Sequence, residues 1–174
     1  MLALDLARLE AGLLLIEVDY TSARHSLVPE QSYSPYEIGL GHLVELDKPG
    51  PFVGRRALMA EVAGGGPARR LAGLELDWLD LEALSAARGL APSAPATVSR
   101  VPVPVYAGGR QVGRVTSSGW SPLLKKLVAL ASVGVAQART GTVLQVEWTV
   151  EARRGTIRGR VVDLPFFDPP RRRA

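Results

Sequence analysis

The first candidate for chemistry in this chain is a glutamate beside an apolar stripe. Leucine and isoleucine recur at steps of three and four along residues 2–16, which predicts one helix with an apolar face. Glu10 stands four residues after Leu6 and four before Leu14, so it borders that face. A carboxylate there needs hydrogen-bond donors, and a neutral heterocycle carrying N–H groups could supply them. Alternatively Glu10 is structural and pairs with Arg8 or a backbone N–H.

Other residues that often carry catalysis are sparse or badly spaced. The two histidines, His25 and His42, lack a carboxylate–histidine spacing that would bind metal. The serines of Ser117–Ser121 have no companion histidine in a convincing position. The glycines of Gly64–Pro67 are not followed by the Lys-Ser/Thr of a phosphate loop, and no dinucleotide fingerprint follows a strand. We therefore expect no metal site and no histidine-based catalysis in this chain.

The composition is that of a globular protein. Of 174 residues, 47% are hydrophobic and 22% charged. The absence of cysteine excludes disulfides and fits a reducing compartment. The net charge is +4, but aromatics make up only 6% and do not interleave with a basic stripe, so nucleic-acid binding is disfavoured. No membrane span and no export signal is recognisable, and we expect a cytoplasmic location.

The first third of the chain mixes helical and irregular signals. Ser34-Pro35-Tyr36-Glu37 has the residues of a helix N-terminus, and we expect a short helix there. Residues 42–47 alternate as a strand would, and residues 54–63 read as an amphipathic helix. That helix should direct Ala57, Leu58 and Val62 inward. The run Gly64–Pro67 is the clearest linker and predicts a domain boundary.

Beyond this linker the signals change to β-structure. Apart from a helix over residues 79–89, short apolar or alternating segments follow one another at regular spacing, which favours a closed or nearly closed barrel. Gly108-Gly109 predicts a hairpin turn, and Arg154-Gly155 a second turn. The predicted strands are 70–77, 101–107, 111–117, 127–133, 144–150 and 156–164.

Several short strings, taken together and in order, resemble one family over essentially the whole chain. They are Arg8–Leu14, Ser34–Gly41, Phe52–Leu58, Val115–Pro122 and Leu164–Pro169. Each resembles a segment of the aminomethyltransferase family, the folate-binding T-protein of the glycine cleavage system. The resemblance implies an α+β chain in which a partial folate-binding α/β domain is followed by a Greek-key β-barrel. With the linker as boundary, these regions are residues 1–66 and 67–174.

The resemblance also implies roles for single residues. Glu10 matches the glutamate whose carboxylate grips the pterin ring edge of tetrahydrofolate, and Lys48 falls where a basic residue lies against the folate tail. Arg171 lies near a C-terminal contact of the family, although the ending here departs from the family pattern. The chain corresponds to the family's C-terminal half, and the aspartate that holds the reactive folate nitrogen belongs to the missing half. We therefore expect no catalytic residue within this chain.

The full enzyme implied by the resemblance transfers an aminomethyl group from the lipoyl arm of the carrier H-protein to tetrahydrofolate, with release of ammonia. The expected partners are the missing N-terminal half of the folate domain and the lipoylated H-protein, with no nucleic acid and no membrane. Two alternatives stay open. Tetrahydrofolate-dependent demethylases and the folate domains of sarcosine and dimethylglycine dehydrogenases share these strings, and a non-catalytic folate-binding module is the second alternative.

Overall fold

The computed structural model describes residues 2–169, in which helices precede and interrupt a six-stranded barrel. The helices are α1 (Leu2–Glu10), α2 (Arg55–Ala63) and α3 (Trp78–Ala86). The strands are β1 (Arg69–Leu76), β2 (Val103–Ala107), β3 (Arg110–Ser121), β4 (Lys126–Gly134), β5 (Val143–Val150) and β6 (Arg153–Val162). None of the described helices is long and apolar enough to cross a membrane.

The strands close into an antiparallel barrel in the order β1-β4-β3-β2-β5-β6. Strands β2, β3 and β4 are consecutive neighbours, and β1 reaches the far side of β4 after a long connection, which is a Greek-key arrangement. The barrel encloses alternate side chains of all six strands, because successive residues of a strand face opposite sides. Fully buried examples are Leu74, Val105, Val115, Leu144 and Ile157. The predicted barrel is confirmed.

Strand β4 is apolar along most of its length because both of its faces are covered. Leu127 and Ala129 point into the barrel core, whereas Val128 and Leu130 pack outside it with Leu9 of α1. A strand buried on both faces loses the alternation of a half-exposed one. Helix α1 therefore lies on the outer surface of the barrel, over β3 and β4.

Two hairpin turns of the barrel lie at residues whose backbone has a positive φ. Gly108 and Gly109 have φ of 57° and 79°, as the sequence predicts. The β5–β6 turn lies at Glu151-Ala152, with φ of 49° and 56°, and not at the predicted Arg154-Gly155. Gly155 is instead a strand residue over which α3 packs. A Cβ there would lie 2.4 Å from Leu84 Cδ1, so the glycine permits the close approach of the helix.

Three predictions for the N-terminal region are wrong. Helix α1 ends at Glu10 rather than at residue 16, since Gly12 turns the chain with φ of 66° and Leu13 is 57% exposed. Residues 42–47 form no strand, because no neighbouring strand pairs with them and alternation alone cannot supply a ladder. Helix α2 forms as expected, but it contains no buried residue, so Ala57, Leu58 and Val62 are not a core face.

The expected helix after Ser34 is a series of turns, yet the predicted capping contacts form. The Ser34 N–H donates to Glu37 Oε2 at 3.0 Å, and the Glu37 N–H donates to Ser34 Oγ at 3.3 Å. Arg69 Nε lies 2.9 Å from Glu37 Oε1, and the Leu71 N–H donates to the Glu37 carbonyl at 2.8 Å. The turn therefore stays on β1 because its last polar groups bind that strand.

The division at residue 66 and the α/β character of residues 1–66 stay predictions. Within residues 2–66 the described secondary structure consists of α1, α2 and two short 3₁₀ turns, with only isolated bridges at Ile16–Tyr20 and Thr21–Ser32. This region contacts the barrel through α1 and through Glu37, among other residues.

Candidate functional site

A buried carboxylate, Asp19, collects hydrogen bonds from distant parts of the chain. Its side chain is fully excluded from water. Oδ1 accepts the hydroxyls of Thr116 and Ser117 at 2.7 and 2.6 Å. Oδ2 accepts Arg8 Nη1 at 2.7 Å and the Leu15 N–H at 2.8 Å. Four donors offset the cost of taking this carboxylate out of water.

Arg8 joins the Asp19 cluster to helix α1. Its Nη2 donates to Ser117 Oγ at 2.9 Å, and its Nε donates to Asp5 Oδ1 at 2.8 Å. Burial acts to raise the pKa of Asp5, but hydrogen bonds from Arg8 and Arg100 outweigh it and leave that pKa below its ordinary value. These bonds fix α1 against β3, and with it the position of Glu10, two residues further along.

Glu10 lies at the last turn of α1, half-buried against the end of β3. Ser121 Oγ donates to Glu10 Oε1 at 2.5 Å. The same hydroxyl accepts the Leu124 N–H at 3.0 Å, so its single proton is directed at the glutamate. The structural partner of Glu10 is thus a serine hydroxyl, and neither Arg8 nor a backbone N–H. Oε2 has no donor among residues 2–169 and can accept one from a ligand.

The C-terminal segment holds the end of α1 from the other side. The Phe167 N–H donates to the Glu10 carbonyl at 3.0 Å, which satisfies one of the carbonyls left open at a helix C-terminus. Leu164 and Phe166 pack with Leu9 in the cluster between helix and barrel. The backbone of Glu10 is therefore clamped while half of its carboxylate stays open.

The other residues singled out in the sequence do not join Glu10. Lys48 is exposed in the loop before Pro49, and its side chain has no partner within the described part of the chain. Arg171 lies outside the described residues. Ser117 serves the Asp19 cluster and is fully buried, so it does not act as a nucleophile at the surface. Among residues 2–169 no three histidine, aspartate or glutamate side chains are grouped so as to hold a metal.

A groove of about 1250 Å³ lies beside the first half of β1, and we call it the β1 groove. Its lining comes from Arg70–Gly73 of β1 and from segments that surround it, among them residues 12–14, 38–40, 135–136, 138–140 and 161–164. The lining begins two residues after Glu10, just beyond the end of α1.

The barrel and part of the region before it are similar to known proteins. Residues 86–168 match the family model described as the glycine cleavage T-protein C-terminal barrel domain. An aminomethyltransferase of Synechococcus sp. (strain CC9902) is 38% identical over 168 residues, which are 97% of this chain. One of Symbiobacterium thermophilum is 40% identical over 141 residues, or 81% of this chain.

Residues 86–168 belong to the family of glycine cleavage T-protein C-terminal barrel domains. The glycine cleavage system aminomethyltransferase T of Bartonella henselae has a similar structure, with a TM-score of 0.66 and 26% identity over 94% of this chain. The chain spans only 38% and 32% of the length of the Synechococcus and Symbiobacterium proteins, and 37% of the Bartonella chain. The family resemblance stated from the sequence strings is confirmed.

Two residues of this T-protein region escaped the sequence analysis. Asp19 lies in no pattern that sets it apart in the sequence, and Ser121 belongs to a serine-rich string without a companion histidine. Ser121 lies 111 positions from Glu10, and Asp19 lies 97 and 98 positions from its hydroxyl donors. The only local signal was a carboxylate that follows an apolar run, which is too common to predict a buried network.

Proposed function

We propose that this chain supplies the C-terminal part of a tetrahydrofolate-dependent aminomethyltransferase and that Glu10 contacts the pterin ring. The relatives described above are aminomethyltransferases, which supports the activity. The proposed donor is the aminomethyl group on the lipoyl arm of the carrier H-protein, and ammonia is released. Tetrahydrofolate, when bound, accepts the one-carbon unit.

The assignment of Glu10 depends on one observation: its two carboxylate oxygens differ in their hydrogen bonding. Ser121 occupies Oε1 and sets the orientation of the carboxylate, while Oε2 lacks a donor in the described chain. The side chain is half-buried, so a donor that reaches it is partly shielded from water and its hydrogen bond gains strength. A planar heterocycle with ring-edge N–H groups fits this requirement.

The contribution of this chain to catalysis is positioning rather than covalent chemistry. The Asp19 cluster and the Phe167 clamp hold α1 in place, so the carboxylate of Glu10 is preorganised before a ligand arrives. The aspartate that the family resemblance assigns to the reactive folate nitrogen would come from outside residues 1–174. Transfer therefore requires polypeptide beyond this chain.

Lys48 is proposed as a contact to the anionic folate tail. Its ammonium is exposed, and no carboxylate among residues 2–169 competes for it, so a carboxylate ligand could bind there. An ammonium on a flexible stem can serve this purpose without fixed geometry.

The test uses a chimera in which this chain replaces the matching 168-residue region of the Synechococcus sp. (strain CC9902) aminomethyltransferase. The chimera should bind tetrahydrofolate and transfer the aminomethyl group, whereas the chain alone should not transfer it. Glu10→Gln places an NH₂ against a donor and removes a charge-assisted bond. We expect folate binding to weaken by about 2–3 kcal/mol, or roughly 30- to 150-fold in Kd by calorimetry.

The matched control is Glu151→Gln, at the exposed tip of the β5–β6 hairpin, which should leave the folate Kd unchanged. The ligand-free melting temperature should fall little in either variant, because no apolar volume is removed. Unchanged folate affinity with a sharply lower melting temperature in Glu10→Gln would show that Glu10 is structural. A wild-type chimera that binds no folate would disprove the proposed function as a whole.

A further inference from the structure

The region before β1 has almost no core of its own. Among the described residues up to 66, Leu9 is the one apolar side chain that is fully buried. Helix α2 contains no buried residue, although a nine-residue helix needs tertiary packing to be stable in water. Large apolar side chains of this region are instead exposed, among them Leu27 at 88%, Leu43 at 68% and Val53 at 103%. Such a surface is typical of an interface.

Exposed apolar side chains converge in the β1 groove from three separate segments. Leu13 follows α1 and is 57% exposed, Leu40 follows the capping turn and is 40% exposed, and Val135 follows β4 and is 44% exposed. Single exposed apolar side chains are ordinary on protein surfaces, but Leu13, Leu40 and Val135 line one groove and together offer an apolar target.

The charges at the groove favour an acidic partner. Arg70 and Arg139 both line it, both are exposed, and neither has a carboxylate partner within the described chain. The carboxylate of Asp163, which also lines the groove, accepts the Thr140 hydroxyl at 2.6 Å. Two arginines against one carboxylate leave the groove positive, and an incoming surface with aspartate or glutamate beside apolar side chains would match it.

The size of the groove and the length of the relatives indicate what occupies it. Small-molecule pockets usually measure about 300–1,000 Å³, and the β1 groove at about 1250 Å³ is larger and open. The relatives contain a further stretch of polypeptide, since this chain spans 38% of the Synechococcus protein.

We propose that the β1 groove is the docking surface for the polypeptide that makes up the remaining length of these relatives, through apolar side chains flanked by acidic ones. The inference rests on the proposed function in one respect, because the same polypeptide would carry the other folate contacts. It does not require folate to be bound.

The experiment mixes the full chain with the separately produced unmatched region of the Synechococcus sp. (strain CC9902) aminomethyltransferase, without folate. Calorimetry and analytical ultracentrifugation should show a one-to-one complex. Leu13→Asp and Leu40→Asp should each raise the Kd at least tenfold, because each places a carboxylate in the apolar target. Arg139→Glu should also weaken binding and reduce its dependence on salt, since the attraction to acidic side chains is lost.

The matched control is Leu79→Asp, on α3 outside the groove, where leucine is 68% exposed. Its Kd should stay within twofold of wild type, and all variants should melt within a few degrees of it because the substituted side chains are exposed. The absence of a wild-type complex, or equal binding by the groove variants, would overturn the proposal. Self-association of the chain that Leu13→Asp abolishes would overturn it too, because a second copy would then be the occupant.

The two proposals fail in different ways. A complex that depends on the groove residues, together with a chimera that binds no folate, would leave the docking surface standing and remove the proposed function. A chimera that binds folate, together with groove variants that assemble normally, would leave the proposed function standing and remove the docking surface.

Discussion

Asp19 shows how a single buried charge can organise a site that it does not itself form. It gathers Arg8, Leu15, Thr116 and Ser117 around one carboxylate from which water is excluded. The arginine and the serine also bind each other, so the contacts form a closed network rather than a set of separate pairs. In this way β3 determines where α1 lies, and the glutamate at the end of α1 is placed as a consequence.

Replacing Asp19 should therefore be costly. Asp19→Ala leaves the guanidinium of Arg8 buried without its main partner and two hydroxyls without their acceptor. We expect a loss of about 3–5 kcal/mol in the free energy of unfolding, measured by urea denaturation. The control Asp163→Ala removes an exposed carboxylate that accepts one hydroxyl, and it should cost about 1 kcal/mol or less. Equal losses in the two variants would contradict the role given to Asp19.

At the scale of elements, α3 is joined to the barrel by an arginine fork. Asp77 caps the helix by accepting the N–H groups of Leu79 and Asp80. Arg158 of β6 donates from Nε and Nη2 to the two oxygens of Asp80, both at 2.7 Å, and lies 3.0 Å from Asp77. These hydrogen bonds hold the pKa of Asp80 below its ordinary value and raise the pKa of Arg158.

The sign of that pKa shift predicts how pH acts on this contact. A carboxyl whose pKa is lower in the folded state stabilises the fold above its unfolded value, near 3.8, and loses this contribution as pH falls through the folded value. Wild type should therefore melt at a higher temperature than Asp80→Asn at pH 7 and at pH 5. The difference should shrink towards zero below pH 3.8. Circular dichroism melts at several pH values provide the measurement.

Glu151→Gln again serves as the control, because the carboxylate of Glu151 is exposed and makes no side-chain bond with the described residues. Its melting temperature should follow that of wild type at every pH. A difference between wild type and Asp80→Asn that did not change with pH would mean that helix capping or packing, rather than the ion pair, holds α3.

At the scale of the whole molecule, the barrel and the region before it differ in how they are held together. The barrel buries most of the apolar side chains that are excluded from water, whereas residues 2–66 are attached through Leu9 and through polar contacts, among them the Asp19 cluster, the Glu10–Ser121 hydrogen bond and the Glu37–Arg69 pair. Few buried contacts in a region mean a low free energy of local opening. The run Gly64–Gly66, two of whose residues have positive φ, joins the two.

Limited proteolysis should therefore separate them. Subtilisin, which cuts with little sequence preference, should cleave first near Gly64–Pro67 and leave a resistant fragment that begins at about Arg69. Denaturing gels and mass spectrometry identify the cut, since the pieces can stay associated through the ion pairs. The internal control is the segment Val101–Val133, within which cleavage should come last. First cleavage there would contradict the independence of the barrel.

A structural feature can be predicted from the sequence when the contacts that determine it join residues that are close together in the chain. The alternation along β5 and the glycine pair before β3 predict strands and a hairpin of the barrel, because strand faces and tight turns are properties of neighbouring residues. Alternation over residues 42–47 failed as a predictor, since a strand exists only where another strand pairs with it. Gly155 failed as a predicted turn because its missing side chain accommodates α3, which is distant in sequence.

The same distinction applies to the site. The sequence by itself determined that Glu10 would stand at the border of an apolar face, because helical spacing places it beside Leu6 and Leu9. Only the tertiary structure decided that Ser121 would hold one of its oxygens and leave the other open, because that hydroxyl comes from a residue 111 positions away. It also gave the Glu10 carbonyl a partner in the Phe167 N–H, whereas the end of the helix itself follows from the local turn at Gly12. Contacts of this kind depend on how β3 and the C-terminal segment pack against α1, which no local pattern encodes.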